Sequence, residues 1–247
     1  MKSYAITNQK GGVGKTTMAG NIGHALAEQG HRVILVDLDP QASLTTWLLS
    51  EAPEHELAEV LWKRASLADT IVSLRDRLDL LPTFGLGGQL KKFEPHLNDE
   101  PYLLGDLKSN LAARYDFAIL DLSPGWSRLE QSAILAVQEA VSPMQAEFFA
   151  FDGLEILADN LAKLRHGFRK EVMHRLIIVN GFDARMTRHR EITERIQRDY
   201  DYRVHIVPTD SQLAKAQQVH KTIFEYDRNA RAVEPIRGLA TILANGG

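Results

Sequence analysis

"NQKGGVGKTT", residues 8–17, decides how the whole chain is read. It follows a short apolar run, "YAIT" (4–7), and opens a segment of helical period over 15–29. Strand, glycine loop and helix in that order form the context in which a phosphate-binding loop works. Gly11, Gly12 and Gly14 permit φ > 0 and let the backbone approach a phosphate closely. The N–H groups of residues 11–17, backed by the helix N-terminus, make a concave anion nest. Lys15 reaches β- and γ-phosphates, the Thr16 hydroxyl ligates Mg²⁺, and Thr17 holds an α-phosphate. Two features depart from the common pattern. Gln9 stands six positions before Lys15, where the first glycine is usual. A second lysine, Lys10, lies inside the loop, and two such charges repel unless polyphosphate faces them.

A nucleotide site calls for acids at the ends of neighbouring strands. "RVILVDLD" (32–39) ends in Asp37 and Asp39, and "FAILDL" (117–122) carries Asp121. Asp37 and Asp39 are two apart on an extended chain and point the same way. Asp121 fits an acid that orients Mg²⁺ through its water shell, and Asp39 fits one that orients an attacking water. The sequence shows no nucleophile with an activating partner. Phosphoryl transfer to water does not need one, because positioning and charge neutralisation carry it. The nine histidines are scattered without metal spacing and read as mostly surface residues.

The other strands are "LDLLP" (78–82), "EAVSPMQ" (139–145), "RLIIVN" (175–180) and "YRVHIVP" (202–208). Helical period fills 130–138, 151–168, 187–201, 210–219 and 229–244. Continuous apolar strands imply a sheet covered on both faces, and strand–helix alternation implies parallel strands. The expected fold is α/β, a doubly wound and mostly parallel sheet, with ligands beyond the carboxyl ends of its strands. Residues 51–115 are less regular, with two short helical patches and a "FGLGGQ" turn. No linker, repeat or low-complexity tract divides the 247 residues, so residues 1–247 read as one domain. The tail "ANGG" is expected to fray.

Composition narrows the class. Hydrophobic content of 44% and charged content of 25% are those of a soluble globular chain. The absence of cysteine excludes disulfides, thiolate metal sites and a cysteine nucleophile. There is no signal-peptide core and no run of roughly 18 apolar residues, so a cytoplasmic protein is expected. Net charge is −3, yet residues 185–237 hold 11 Lys+Arg against 8 Asp+Glu. Charge alone favours a solvated helical face there over a nucleic-acid footprint.

Five segments together resemble one family: "KGGVGKTT", "VDLDPQAS", "YDFAILDLSPG", "QAEFFAFDGLEIL" and "VNGFDAR". In type and order they are similar to the motifs of the ParA-type partition ATPases, deviant-loop relatives of MinD and the nitrogenase iron protein. The resemblance covers almost the whole chain, least clearly 51–75, and without an N-terminal helix-turn-helix it points to the short, Soj-like branch. It implies ATP and Mg²⁺ as ligands, an ATP-bound homodimer, non-specific binding to nucleoid DNA, and slow hydrolysis stimulated by a ParB-like partner. By motif, Lys10 crosses to the other subunit's phosphates and Gly11 lies where the two chains approach. Gly12, Val13, Gly14, Lys15, Thr16 and Thr17 hold the phosphates, with Asp37 and Asp121 serving the metal. Asp39 serves the hydrolytic water. Asn180, Pro208 and Asp210 lie where the family holds adenine, and Glu147 and Asp152 near the dimer face.

The match weakens on the DNA side. Arg185 preserves the arginine of "FDAR", but the family's "PRNVRLSEA" here reads "PTDSQLAKA" (208–216). Thr209 and Gln212 stand where arginines are expected. Lys215 and Lys221 can substitute, and Arg188, Arg190, Arg195 and Arg198 add charge, though Glu191, Glu194 and Asp199 fit a solvated ion-paired helix instead. Segregation of plasmid or chromosomal DNA is the expected role. A ParA-like positioner of a protein cargo, a MinD-like membrane-associated ATPase and a non-enzymatic nucleotide-gated module are the alternatives. The membrane reading needs a basic amphipathic C-terminal helix, and "NARAVEPIRGLATILANGG" is interrupted by Pro235 and poor in cations.

Overall fold

The computed structural model describes residues 1–86, 88–147 and 150–246. Seven strands form where continuous apolar runs predict them: β1 (Lys2–Ile6), β2 (Val33–Leu38), β4 (Leu78–Leu81), β5 (Phe117–Leu122), β6 (Glu139–Met144), β7 (Met173–Phe182) and β8 (Arg203–Pro208). An eighth, β3 (Val72–Arg75), was not foreseen. The sheet order is β3-β4-β2-β5-β1-β6-β7-β8. Every pairing is parallel except β3 with β4, a hairpin whose turn residue Arg77 has φ 59°. β2, β5 and β6 are buried along their whole length, which is why they read as unbroken apolar runs.

Helices cover both faces. α1 (Lys15–Glu28), α2 (Ser43–Leu48), α10 (Ser211–Gln218), α11 (Ile223–Tyr226) and α12 (Val233–Asn245) share one core, with Met18, Ile22, Leu35, Trp47, Phe224 and Leu239 at its centre. α3 (Leu57–Leu61), α5 (Leu90–Phe93), α6 (Leu103–Leu111) and α7 (Arg128–Ala136) share the other with Ile34, Leu120 and Leu164. α4 (Leu67–Thr70) leads into β3. The ends of α8 (Ala150–Phe168) and α9 (Thr187–Asp199) close a third cluster around Leu154, Val179 and Ile196. This is the doubly wound, mostly parallel architecture expected.

One expectation needs correction. Pro235 does not interrupt the C-terminal helix, because α12 begins at Val233 and places the proline in its first turn, where no intrahelical N–H is required. Its apolar residues Val233, Ile236, Leu239, Ala240 and Leu243 are already buried in the core. Eight of the nine histidines are at least partly exposed, in line with the expectation of mostly surface residues. His24 is buried between Thr222, Arg75 and the ring of Phe224.

Candidate active site

β1 ends at the centre of the sheet, and residues 7–14 carry the chain from it into α1. Gly12 (φ 73°) and Gly14 (φ 95°) adopt the left-handed conformation expected of the loop. Gly11 does not, and it is free to approach a neighbour for lack of a side chain rather than by strain. A Cβ on Gly14 would lie 2.3 Å from Asn180 Nδ2, whose amide donates to Val13 O at 3.0 Å. Asn180, at the end of β7, therefore buttresses the loop. No side chain caps α1 at its N-terminus, unlike α7, capped by Ser127, and α10, capped by Asp210. Its first N–H groups stay available to an anion.

Lys15 is buried and its ammonium donates to the carbonyls of Asn8 (3.2 Å) and Lys10 (3.1 Å). Burial lowers its pKa, opposed by Asp121, Asp39 and Glu130. Lys10 behaves differently. Its ammonium pairs with Glu147 of the same chain at 2.5 Å, and both side chains remain part-exposed. Gln9, in the place of the usual glycine, donates from Nε2 to Gly125 O at 2.9 Å and ties the loop to the turn after β5.

Asp37 and Asp121 face each other in register on β2 and β5, both fully buried. Asp37 is satisfied, accepting from Thr45 N (2.8 Å), Thr45 Oγ1 (2.7 Å) and Asp39 N (3.1 Å). Burial still pushes its carboxyl up to about 7. Neither oxygen of Asp121 has a hydrogen-bond partner. Burial, then Asp37 beside it, raises its pKa well above the usual carboxylate range; the Thr16 hydroxyl opposes this from outside hydrogen-bonding geometry. A buried carboxylate without a partner is costly unless a cation completes it. Among the described residues no cluster of three or more His, Cys, Asp or Glu converges on a metal site. One open acid facing a hydroxyl fits Mg²⁺, which keeps most of its waters and takes phosphate oxygens.

A cavity of about 650 Å³ opens above the loop. Gly11, Gly12, Gly14, Lys15, Thr16, Thr17 and Asp39 line it, as the sequence leads one to expect. Asp39 accepts from Gln41 N at 2.9 Å, which fixes its carboxylate at the rim. Gln41, Trp47, Gln217 and His220 line the cavity too, and sequence reading missed them. Gln41 follows Asp39 within "VDLDPQAS", but nothing local marks Trp47, Gln217 and His220, which α2 and the end of α10 bring in through tertiary packing. Pro208 and Asp210 are not cavity residues. Pro208 lines a separate cleft, and the Asp210 carboxylate accepts from Gln212 N (2.9 Å) and Ala232 N (3.1 Å).

A family model for an AAA domain matches residues 1–174. The sporulation initiation inhibitor protein Soj of Bacillus subtilis is 32% identical over 252 residues, covering 99% of both chains. The chain belongs to the ParA/Soj-type family of P-loop ATPases. Among solved structures, a plasmid partition protein of Borrelia burgdorferi bound to AMPPNP superposes with a TM-score of 0.84. It is 21% identical, and the match covers 99% of this chain and 98% of that one. Cobyrinic acid a,c-diamide synthase of Mycobacterium smegmatis, with ADP and magnesium, gives 0.83 at 25% identity over 99% and 94%.

On this ParA/Soj-type chain the residues expected to meet DNA are all exposed, but not equivalent. Arg185 is clamped by Asp183, with Nη2 2.6 Å from a carboxylate oxygen. Arg195 and Arg198 pair with Asp199 at 3.4 and 2.8 Å. Among the described residues no carboxylate lies within 4.0 Å of Arg188, Lys215 or Lys221. Arg231 lines both the cleft beside Arg185 and the cleft beside Lys215, and so bridges two cations that are 30 residues apart in sequence. Among the described residues no helix is long and apolar enough to cross a membrane.

Proposed function

We propose that the chain, acting as one ATPase domain, is an ATP-driven dimerisation switch that segregates or positions DNA in the cytoplasm. The observation that carries this is a phosphate loop with two lysines in different states. Lys15 is buried under the loop, while Lys10 is held outside it by one part-exposed ion pair. An exposed pair of that kind is worth about 1 kcal/mol or less, so a partner's polyphosphate can displace Glu147. ATP binds across residues 10–17. Its base reaches toward Asn180 and, after rearrangement of their present contacts, Pro208 and Asp210.

Thr16, Asp37 and Asp121 hold Mg²⁺, which supplies neutralisation of phosphate charge. Asp39 orients the water that attacks the γ-phosphate. Hydrolysis removes the group that Lys10 grips, and the two copies separate. Turnover is slow until a ParB-like, cargo-linked partner stimulates it. The ATP dimer holds nucleoid DNA without sequence preference through Arg185, Arg188, Lys215 and Lys221, joined by Arg231. Each contacts phosphates, so affinity falls steeply with salt.

Phosphate release in the presence of duplex DNA and the partner tests the catalytic part. Asp39→Ala is expected to bind ATP yet accumulate as a dimer with release suppressed. Release equal to wild type would sink the assignment.

A further inference from the structure

Gln217 lies in the last turn of α10 and touches a residue 200 positions away. Its Nε2 donates to Thr17 Oγ1 at 2.9 Å, and both side chains line the cavity above the phosphate loop. A threonine hydroxyl has one proton and two acceptor positions. In a helix it commonly donates to the carbonyl four residues earlier. Thr193 and Thr241 do so here, to His189 O (2.8 Å) and Arg237 O (3.1 Å). Thr17 makes no such bond among the described residues: its oxygen accepts from Gln217 and its proton is uncommitted.

The partner is held in place by construction. Ile223 N donates to Asn21 Oδ1 (2.8 Å), and Asn21 Nδ2 donates to Thr17 O (2.8 Å). Trp47 Nε1 donates to Lys221 O (2.9 Å), and His220 Nδ1 meets Trp47 O (3.2 Å). The turn after α10 is therefore pinned to α1 and α2, which holds the backbone that carries Gln217 beside Thr17.

We propose that Gln217 is a positioning residue for nucleotide recognition. It fills one acceptor position of Thr17 Oγ1 and leaves the Thr17 proton for an anionic oxygen of the phosphate nearest the ribose. A hydroxyl that accepts a hydrogen bond also becomes a better donor, because hydrogen bonds in a chain polarise one another. The proposal rests on the nucleotide-binding reading above. It deepens that reading by naming a residue outside every loop motif and assigning it to the inner phosphate, which ADP and ATP share.

Calorimetric titration with ADP and Mg²⁺ tests it. Gln217→Ala is expected to weaken ADP binding about tenfold, because the Thr17 proton is then free to turn away and its hydrogen bond to the charged phosphate is lost. Gln217→Glu is expected to weaken it further, since a carboxylate draws the Thr17 proton to itself and sets a negative charge beside the phosphates. In a Thr17→Val background, Gln217→Ala is expected to cost nothing more. Melting temperatures of the free variants should match wild type within error. Unchanged ADP affinity in Gln217→Ala overturns the proposal. So does an equal loss in the Thr17→Val background, which would mean that Gln217 acts only by packing. A wild-type protein that takes up no ADP overturns the nucleotide-binding reading and this proposal together.

Discussion

Asp121→Asn is expected to stabilise the free protein while removing its response to ATP and Mg²⁺. Asp121 is fully buried, opposes Asp37 in register, and neither of its oxygens has a partner. Leaving a buried polar group unsatisfied costs about 1–3 kcal/mol, more when it is charged. Asparagine keeps the shape and has no acid to ionise; its amide is left unpartnered as well, so what is recovered is the cost of holding an ionisable group in the core with its pKa raised. Lys15 loses one of the acids that favour its ammonium, but Asp39 and Glu130 remain. The net gain expected is about 1–3 kcal/mol. In a protein of this size 1 kcal/mol moves Tm by about 2–4 °C, so the shift is about 2–12 °C upward. With ATP and Mg²⁺ at about 1,000 times Kd, wild type gains about 4.1 kcal/mol that the variant should forgo, and the order inverts. Scanning calorimetry with and without nucleotide reads both effects. A free variant that melts at or below wild type refutes the idea that Asp121 is held strained for a cation.

Three further outcomes follow from the same structure. Lys15→Gln should fail to retain ATP on a desalting column, because the buried ammonium is the principal charge opposite the phosphates; retention equal to wild type would contradict this. Burial lowers His24 and His174 to about 4, so both are neutral in the fold at neutral pH and the unfolded chain binds more protons between about 4 and 6.5. Their contribution is present above the unfolded pKa and lost as pH falls, by at most about 2 kcal/mol each between pH 7 and 5. Denaturant titration of His24→Asn and His174→Asn should show a flatter profile in that window. With ATP present, Arg185→Ala, Lys215→Ala and Arg231→Ala should each lower the log–log salt slope of duplex DNA retention by about one, whatever the DNA sequence. Unchanged slopes would remove these residues from the DNA face.

Most of the fold was legible because a sheet covered on both faces needs unbroken apolar strands, and β2, β5 and β6 are such runs. β3 was not, because its four residues are an edge made only by pairing with β4. The loop and its acids were legible because the chemistry fixes their spacing along β1, β2 and β5. The opposite wall of the cavity was not. Trp47, Gln217 and His220 reach it only when α2 and α10 pack on α1, and no local pattern encodes that meeting. Pro235 was misread for a related reason, since a helix start moved by a few residues turns an apparent breaker into a first-turn residue. The second lysine stood out from sequence alone, but its pairing with Glu147 in the free chain appears only in the structure.

The most direct test of the switch is the mass in solution of wild type and Lys10→Ala with a non-hydrolysable ATP analogue and Mg²⁺, by light scattering after gel filtration. Wild type is expected to run at twice the 27.7 kDa chain and Lys10→Ala at the monomer mass while still binding the analogue. A Lys10→Ala dimer as tight as wild type would contradict the claim that ATP holds two copies together through this lysine.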